Sequence, residues 1–316
     1  MPADLLISLE TLLLLAGVVL LWKGADLLVD GAGTLALGFG LRRATVGVTV
    51  VAFATTAPEL FVSLVGVVAA STDIGLGAVL GSNIANIGLV LGLSALVRPL
   101  PVSGTVLRRH VPFMVLAALL LVVLGADGHL GRPAGLVMLA VLSGFSYYIA
   151  RRVKGGEALS PDALPEQPKP TLRDWGVVVL GLVLLLIGSR WLIDGGRGLL
   201  TAMGFSDLFV GLTVLALGTS LPELAASLVS AYRDEAGFSV GNVVGSNIYN
   251  VLAVIGILAI ISPVRISPGV MGFEFPALLA FTFFLVAIMW RGNRLSRLDG
   301  AALLAGYVAF VWLLLP

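Results

Sequence analysis

The stretch ATTAPEL, residues 54–60, places Glu59 directly after a proline, in a run that is otherwise apolar enough to cross a membrane. A carboxylate in the hydrocarbon core costs about 3 kcal/mol even on lenient insertion scales, so acidic residues there tend to face a partner or a polar path. The pattern returns as GTSLPEL, residues 218–224, with Glu223 in the same position. The two stretches predict a pair of glutamates that meet near the bilayer midplane and hold a cation. The alternative is a protonated or partnered carboxyl group that holds the helices together.

Composition excludes a soluble domain. The chain has 316 residues, of which 58% are hydrophobic and 12% charged, with a mean hydropathy of +1.06. A soluble domain carries about 25% charged residues, so we expect an all-α polytopic membrane protein. The net charge of +1 gives no reason to expect nucleic acid as a partner, and the absence of cysteine excludes disulfides and thiolate metal sites. The first residues are typical of the start of a span and not of a removable signal peptide.

Ten hydrophobic runs predict ten transmembrane helices, because a span needs about 20 apolar residues. A proline-rich polar segment separates the first five from the last five and has the composition of a linker. We therefore divide the chain into a first unit at 1–150, a linker at 151–171 and a second unit at 172–316. The predicted spans are residues 5–38, 45–70, 74–97, 106–124, 131–150, 172–203, 207–231, 238–261, 271–290 and 298–315.

The second unit repeats the first at a constant spacing of 164 residues, which relates Glu59 to Glu223. Asp30 and Asp194 also keep this spacing, and because they lie near span ends we expect solvated or helix-capping roles for them. Since five is an odd number, the second repeat must enter the membrane upside down. The other residues that identify the duplication are Pro58 with Pro222, Ser82 with Ser246, and Asn86 with Asn250.

Loop charges indicate the orientation of the chain. With the N-terminus outside, 14 basic residues fall in cytoplasmic loops and only 2, Arg132 and Arg265, fall outside. This bias satisfies the positive-inside rule, so we expect both termini outside and the linker in the cytoplasm. Inverted repeats with interrupted helices at the midplane are typical of secondary transporters.

The prolines predict helix breaks beside both glutamates. Pro58 has no N–H for the carbonyl of Ala54 and its ring clashes with that carbonyl, so the helix must open there. Pro222 predicts the same break in the second repeat. Helices 2 and 7 are therefore expected to be interrupted, and helices 3 and 8 beside them to share the core. The hydroxyl groups at the two breaks belong to Thr55, Thr56, Thr219 and Ser220.

The motifs GSNIAN, residues 81–86, and GSNIYN, residues 245–250, add a second layer of oxygen ligands. Ser82 and Asn86 are four residues apart, and so lie on one helix face. Glycines in the same helices, Gly77, Gly81, Gly241 and Gly245, allow neighbouring helices to approach closely. Oxygen ligands alone favour hard cations such as Na⁺ and Ca²⁺ over zinc or copper. Two glutamates balance the charge of one Ca²⁺, whereas several Na⁺ could share the same oxygens.

ATTAPE and GTSLPE, each followed by GSNI-x-N, resemble the two alpha-repeats of the sodium/calcium exchanger family. The resemblance covers essentially the whole chain. It implies a multi-pass antiporter of a prokaryotic plasma membrane that exchanges Ca²⁺ for Na⁺ electrogenically by alternating access. It implies neither an enzyme nor a bound cofactor, and since one chain builds the whole site we expect a monomer in membrane lipid.

The resemblance also implies ligand roles, with Glu59 and Glu223 shared between Ca²⁺ and Na⁺. Asn250 stands where some relatives carry an aspartate, which argues against K⁺ co-transport. H⁺-coupled Ca²⁺ antiport stays open as an alternative, and a cation channel is less well supported because the duplication builds one site and no continuous pore. The further implied ligands are the carbonyls of Thr55, Thr219, Ala52 and Ala216, the hydroxyls of Thr56, Ser220, Ser82 and Ser246, and the amides of Asn86 and Asn250.

Overall fold

The computed structural model is almost entirely helical, as the hydropathy pattern predicts. Eight helices in the described part of the chain are long and apolar enough to cross a membrane, and a shorter apolar helix covers Ala44–Thr55. The predicted second and seventh spans lie largely outside the described residues. The structure describes residues 3–39, 43–56, 59–60, 63, 72–154, 170–203, 218 and 220–314.

The first repeat begins with one very long helix and continues with shorter segments. Its α-helices are α1 (Ala3–Gly38), α2 (Arg43–Val46), α3 (Ala52–Thr55), α4 (Thr72–Ala85), α5 (Gly92–Val97), α6 (Val111–Leu124) and α7 (Arg132–Lys154). Wider π-helical turns join several of them, at Gly47–Val51, Asn86–Leu91 and Val106–His110. The predicted fifth span ends at 150, whereas α7 continues to Lys154. Arg151 extends it by lying over the ring of Tyr147, 5.1 Å from its centroid.

The second repeat reproduces this order. Its α-helices are α8 (Leu172–Ala202), α9 (Leu221–Tyr232), α10 (Ala236–Tyr249), α11 (Gly256–Ile261), α12 (Phe275–Gly292) and α13 (Arg297–Leu314). Its π-helical turns, Asn250–Ile255 and Val270–Glu274, lie 164 residues after their counterparts. The predicted interruption of helices 3 and 8 thus takes the form of a π-helical turn within a continuous helix, a feature often found at functional sites.

Two short antiparallel strand pairs show that the repeats are inverted. Strand β1 (Leu100–Pro101) pairs with β4 (Arg294–Leu295), and β2 (His129–Leu130) pairs with β3 (Val264–Arg265). Under the 164-residue spacing β1 is equivalent to β3, and β2 to β4. Each strand therefore pairs with the other repeat, and the two pairs exchange places, as an approximate two-fold axis between the repeats requires.

The same symmetry relates α1 and α8, which pack against each other through glycines. A Cβ atom on Gly24 would lie 2.7 Å from the backbone nitrogen of Leu185, and one on Gly188 would lie 2.8 Å from that of Leu21. Only glycine permits this backbone-to-backbone approach. Gly17 and Gly181 make equivalent contacts, so the contact repeats every seven residues along both helices.

The most buried spans are Leu76–Val97 and Gly237–Ile261, which form the centre of the protein. The surrounding spans bury a third to less than half of their residues, and their exposed side chains are large and apolar, as expected of a lipid-facing surface. At the membrane edge, Arg233 lies 2.6 Å from a carboxylate oxygen of Asp30. Asp30 is thus half exposed, but its role is not simply solvated or capping, because it joins α1 to the end of α9.

Candidate cation site

The two glutamates meet in the buried centre, as the repeated motif predicts. Glu59 is 2% exposed and Glu223 is fully buried, and their carboxyl groups are close enough to interact electrostatically. Glu223 lies in the first turn of α9, which begins directly after Ser220 with Pro222 in its first turn. The unpaired N–H groups of a helix start face this carboxylate. Pro58, which precedes Glu59, lies outside the described residues.

Ser82 is the residue that connects the two repeats. Its hydroxyl donates to Oε1 of Glu59 at 3.3 Å and lies 3.1 Å from the hydroxyl oxygen of Ser220. It also accepts a hydrogen bond of 3.2 Å from Nδ2 of Asn250. One buried serine of the first repeat therefore contacts the glutamate of its own repeat and two predicted ligands of the other.

The asparagines are used unequally. Nδ2 of Asn250 also donates to Oδ1 of Asn83 at 3.3 Å, whereas neither side-chain atom of Asn86 has a partner among the described residues. Both Asn86 and Asn250 are fully buried. Ser246 is buried beside Asn250 on the same helix face, and its hydroxyl is likewise without a partner in the described part of the chain.

The carbonyls near the first break are only partly free. The carbonyl of Ala52, predicted to be released, accepts a 3.0 Å hydrogen bond from the N–H of Thr56. The reason is positional, since Pro58 removes the donor of Ala54 and not that of Ala52. Ala52 could thus hold an ion only through the second lone pair of its oxygen. Thr55 lies beside Glu223, and its hydroxyl donates to the carbonyl of Val51 at 3.1 Å. Ala216 and Thr219, the equivalent residues of the second repeat, lie outside the described residues.

The site contains oxygen atoms that no described protein group satisfies. Buried polar atoms are nearly always hydrogen-bonded, so a cluster of unsatisfied oxygens needs an explanation. Carboxylate, hydroxyl and amide oxygens are the ligands of hard cations, and two carboxylates supply the charge that a divalent ion requires. The unsatisfied oxygens are Oγ1 of Thr56, Oε2 of Glu59, both carboxylate oxygens of Glu223, Oγ of Ser246, and Oδ1 of Asn86 and Asn250.

Sequence reasoning missed several buried polar residues around this site. Asn83 and Asn247 recur at the 164-residue spacing inside the GSN motifs, so the duplication could have identified them. Nδ2 of Asn247 bonds within its own helix, to the carbonyl of Val243 at 2.9 Å. Asn242 and Ser239 are also buried. They have no polar counterpart in the first repeat, and the duplication gives no signal for them.

Comparison with known proteins agrees with this arrangement. The family model described as sodium/calcium exchanger protein matches residues 9–150 and 173–315. The chain belongs to this family. It is 37% identical to a putative antiporter, CaxA, of Alkalimonas amylolytica, over 96% of this chain and 98% of that one. It is also 34% identical to the inner membrane protein YrbG of Escherichia coli, over 96% of both chains.

Among solved structures, the sodium-calcium exchanger NCX_Mj soaked with 10 mM Na⁺ and zero Ca²⁺ matches with a TM-score of 0.84. The identity is 28%, and the match covers 98% of this chain and 99% of that chain. The family confirms a multi-pass membrane antiporter that moves Ca²⁺ against another cation, and not an enzyme. Na⁺ and Ca²⁺ are the substrates of the family and not cofactors.

Proposed function

We propose that this chain exchanges Ca²⁺ for Na⁺ by alternating access, with Glu59 and Glu223 as the ligands that both ions share. The observation that carries the proposal is the hydroxyl of Ser82. It lies within 3.3 Å of Glu59 and of two polar groups from the other repeat. A site built between two inverted repeats can open to either membrane face when one group of helices moves against the other.

Charge supports Na⁺ as the exchanged ion. The two carboxylates balance one Ca²⁺, and the surrounding hydroxyl and amide oxygens are neutral ligands suited to Na⁺. If the Na⁺ ions that replace one Ca²⁺ carry a larger total charge, each cycle moves charge across the membrane. One elementary charge is worth about 2.3 kcal/mol per 100 mV, so the exchange would be electrogenic and driven in part by voltage.

Each predicted ligand keeps a specific role in the proposal. Asn86 and Asn250 form the polar pair at the midplane, and the carbonyls of Thr55 and Thr219 hold the ion beside the glutamates. The remaining ligands hold Na⁺ on the two flanks, and they are the hydroxyls of Thr56, Ser220, Ser82 and Ser246 and the carbonyls of Ala52 and Ala216.

The proposal includes the arrangement in the membrane. The repeats occupy 1–150 and 172–316, both termini lie outside, and the linker at 151–171 lies in the cytoplasm with most of the basic loop residues. A single chain surrounded by lipid would be sufficient for exchange, since both repeats contribute to the same site.

The test is uptake of radioactive Ca²⁺ into proteoliposomes in which Na⁺, K⁺ and H⁺ gradients are imposed separately. We expect an outward Na⁺ gradient alone to drive Ca²⁺ in, with an accompanying current. Uptake that follows an imposed pH gradient in the absence of Na⁺ would instead establish H⁺ coupling. Conductance far above carrier turnover would establish a channel.

A further inference from the structure

A second group of buried polar side chains extends from the cation site toward one membrane face. On α9, Ser227 follows Glu223 by one turn, and Ser230 lies one turn further. On α10, Ser239 and Asn242 share a face with Ser246 because their spacings are three and four residues. Ser227, Ser230, Ser239 and Asn242, which we call the polar track, are all fully buried.

The polar track contains oxygens that lack partners. Nδ2 of Asn242 donates to the hydroxyl of Ser227 at 3.4 Å, but Oδ1 of Asn242 has no partner among the described residues. The hydroxyl of Ser239 is also without one there. Two unsatisfied oxygens and the Ser227 hydroxyl thus lie between α9 and α10, and such buried groups require an ion or water to complete them.

The polar track exists in only one of the two repeats. The residues equivalent to Ser227, Ser230, Ser239 and Asn242 are Ser63, Gly66, Gly75 and Ala78. Three of the four polar groups are therefore absent from the first repeat, although its helices have the same order. Helix packing in this fold does not require them, so their presence calls for a function specific to one face of the protein.

The end of the polar track is closed in this structure. The hydroxyl of Ser230 donates to the carbonyl of Glu235 at 2.6 Å, and the N–H of Glu235 donates back to the carbonyl of Ser230 at 2.8 Å. Gly241 and Gly245 bring α10 against the second span so tightly that an added Cβ would lie 2.5 Å from the carbonyl oxygens of Ala44 and Val48. An ion could enter from this face only after these helices separate.

We propose that the polar track holds Na⁺ in transit between the cytoplasm and the glutamate pair. Its ligands would be two hydroxyls and one amide oxygen, all neutral, a set that suits a monovalent hard cation. Ca²⁺ sites in proteins, by contrast, are built around carboxylates, and the polar track contains none. The proposal rests on the function proposed above and on the orientation given by the loop charges.

The chain contains no cysteine, so single cysteines can report access to the polar track from each face. Asn242→Cys and Ser239→Cys would be labelled in proteoliposomes with a charged, membrane-impermeant thiol reagent. Arg294→Cys in β4 marks the cytoplasmic face, His129→Cys in β2 marks the outer face, and Ala78→Cys is the matched position of the first repeat. We expect both track cysteines to react only from the face that Arg294→Cys reports, and Na⁺ to slow their labelling severalfold.

Two outcomes would overturn the proposal. The first is labelling of the track cysteines from neither face, or only from the face that His129→Cys reports. The second is labelling that Na⁺ does not change, which would leave water as the occupant. Na⁺-driven Ca²⁺ uptake by the parent protein is measured in the same vesicles. If that uptake is absent the proposed function fails, whereas failure of labelling with normal uptake contradicts the polar track alone.

A flux measurement tests the same point without cysteines. We expect Asn242→Ala and Ser227→Ala to raise the cytoplasmic Na⁺ concentration for half-maximal exchange roughly tenfold, the lower range for losing a supporting group at a metal site. The half-maximal concentration on the outer face should stay unchanged, which a general packing defect would not achieve. Ser143→Ala, at an exposed position on α7, is the control. Equal shifts on both faces would contradict the proposal.

Discussion

The equivalent long helices α1 and α8 are held in different ways at their charged ends. Asp26 and Asp30 of α1 both bind Arg233, which follows α9, at 3.1 and 2.6 Å. On α8, Asp194 faces only Arg190 of its own helix, at 3.8 Å, with both side chains largely exposed. The position equivalent to Arg233 is Ala69. An ion-pair clamp thus joins α1 to the second repeat at the end that loop charge places in the cytoplasm, and the described residues show no equivalent for α8.

The centre of the molecule shows the opposite behaviour. The glycine contacts between α1 and α8, the exchanged strand pairs and the π-helical turns all obey the 164-residue spacing. A site that must face both sides needs similar halves near the ion, whereas closing one face needs contacts on that face alone. We therefore expect substitutions in the centre to act equally in the two repeats, and substitutions at the Arg233 clamp or the polar track to act on one face.

The largest effect should come from the two glutamates. Glu59→Gln and Glu223→Gln each remove one of the two charges that balance Ca²⁺, and losing one partner of a buried charged contact costs several kcal/mol. We expect each variant to bind Ca²⁺ at least about 100-fold more weakly in calorimetry and to lose exchange. Asp127→Asn, in an exposed turn, should bind as the parent does. Parental binding by either glutamate variant would show that the repeats do not share the ion.

The glycine contacts should give the next largest effect. Gly24→Ala and Gly188→Ala both place a Cβ within 2.8 Å of backbone atoms in the opposite helix, so each should destabilise the protein by about 1–3 kcal/mol. Thermal unfolding in detergent measures this. Gly196→Ala is the matched control, because a Cβ there has nothing within 4 Å, and it should be neutral or stabilising. Clearly unequal losses for the two glycines would break the symmetry argued from their contacts.

The features that duplication dictates could be predicted from the sequence, whereas those that depend on the contact between repeats could not. The spacing of 164 residues paired Glu59 with Glu223 without any structure. It could not show that Ser82 touches Ser220, because that contact depends on how two inverted repeats interlock. Nor could it show the clamp, since Asp26 precedes Arg233 by 207 residues and no periodicity links them.

Local structure had a similar limit. A π-helical turn has the same apolar composition as the α-helix around it, so hydropathy could not distinguish the turn at Asn250–Ile255 from an ordinary span. The proline rule located the start of α9 beside Ser220 correctly. Applied to Ala52 it predicted too much, because one missing N–H frees one carbonyl and not a whole turn.

The asparagine pair should show a smaller, unequal effect. Asn250 hydrogen-bonds to Ser82 and Asn83, whereas Asn86 has no partner among the described residues. Without cations, Asn250→Ala should therefore destabilise the protein by about 1 kcal/mol more than Asn86→Ala. The measurement is thermal unfolding after removal of Ca²⁺ and Na⁺. With Ca²⁺ present the difference should shrink, because Asn86 then loses an ion contact as well. Equal losses in the absence of cations would remove the distinction between the two amides.

The smallest effect should come from the Arg233 clamp. Its contact with Asp30 raises the pKa of the Arg233 guanidinium, which therefore stays charged. Partly exposed ion pairs contribute about 0.2–1 kcal/mol each, so Arg233→Ala should favour opening of this face by about 1 kcal/mol, or roughly fivefold. The readout is the labelling rate of Asn242→Cys in the same background, which should rise by that factor. High salt should reduce the difference, since it screens exposed charges. Arg190→Ala, the related charge on α8, should leave the rate unchanged, and an equal rise there would mean that the clamp does not distinguish the two faces.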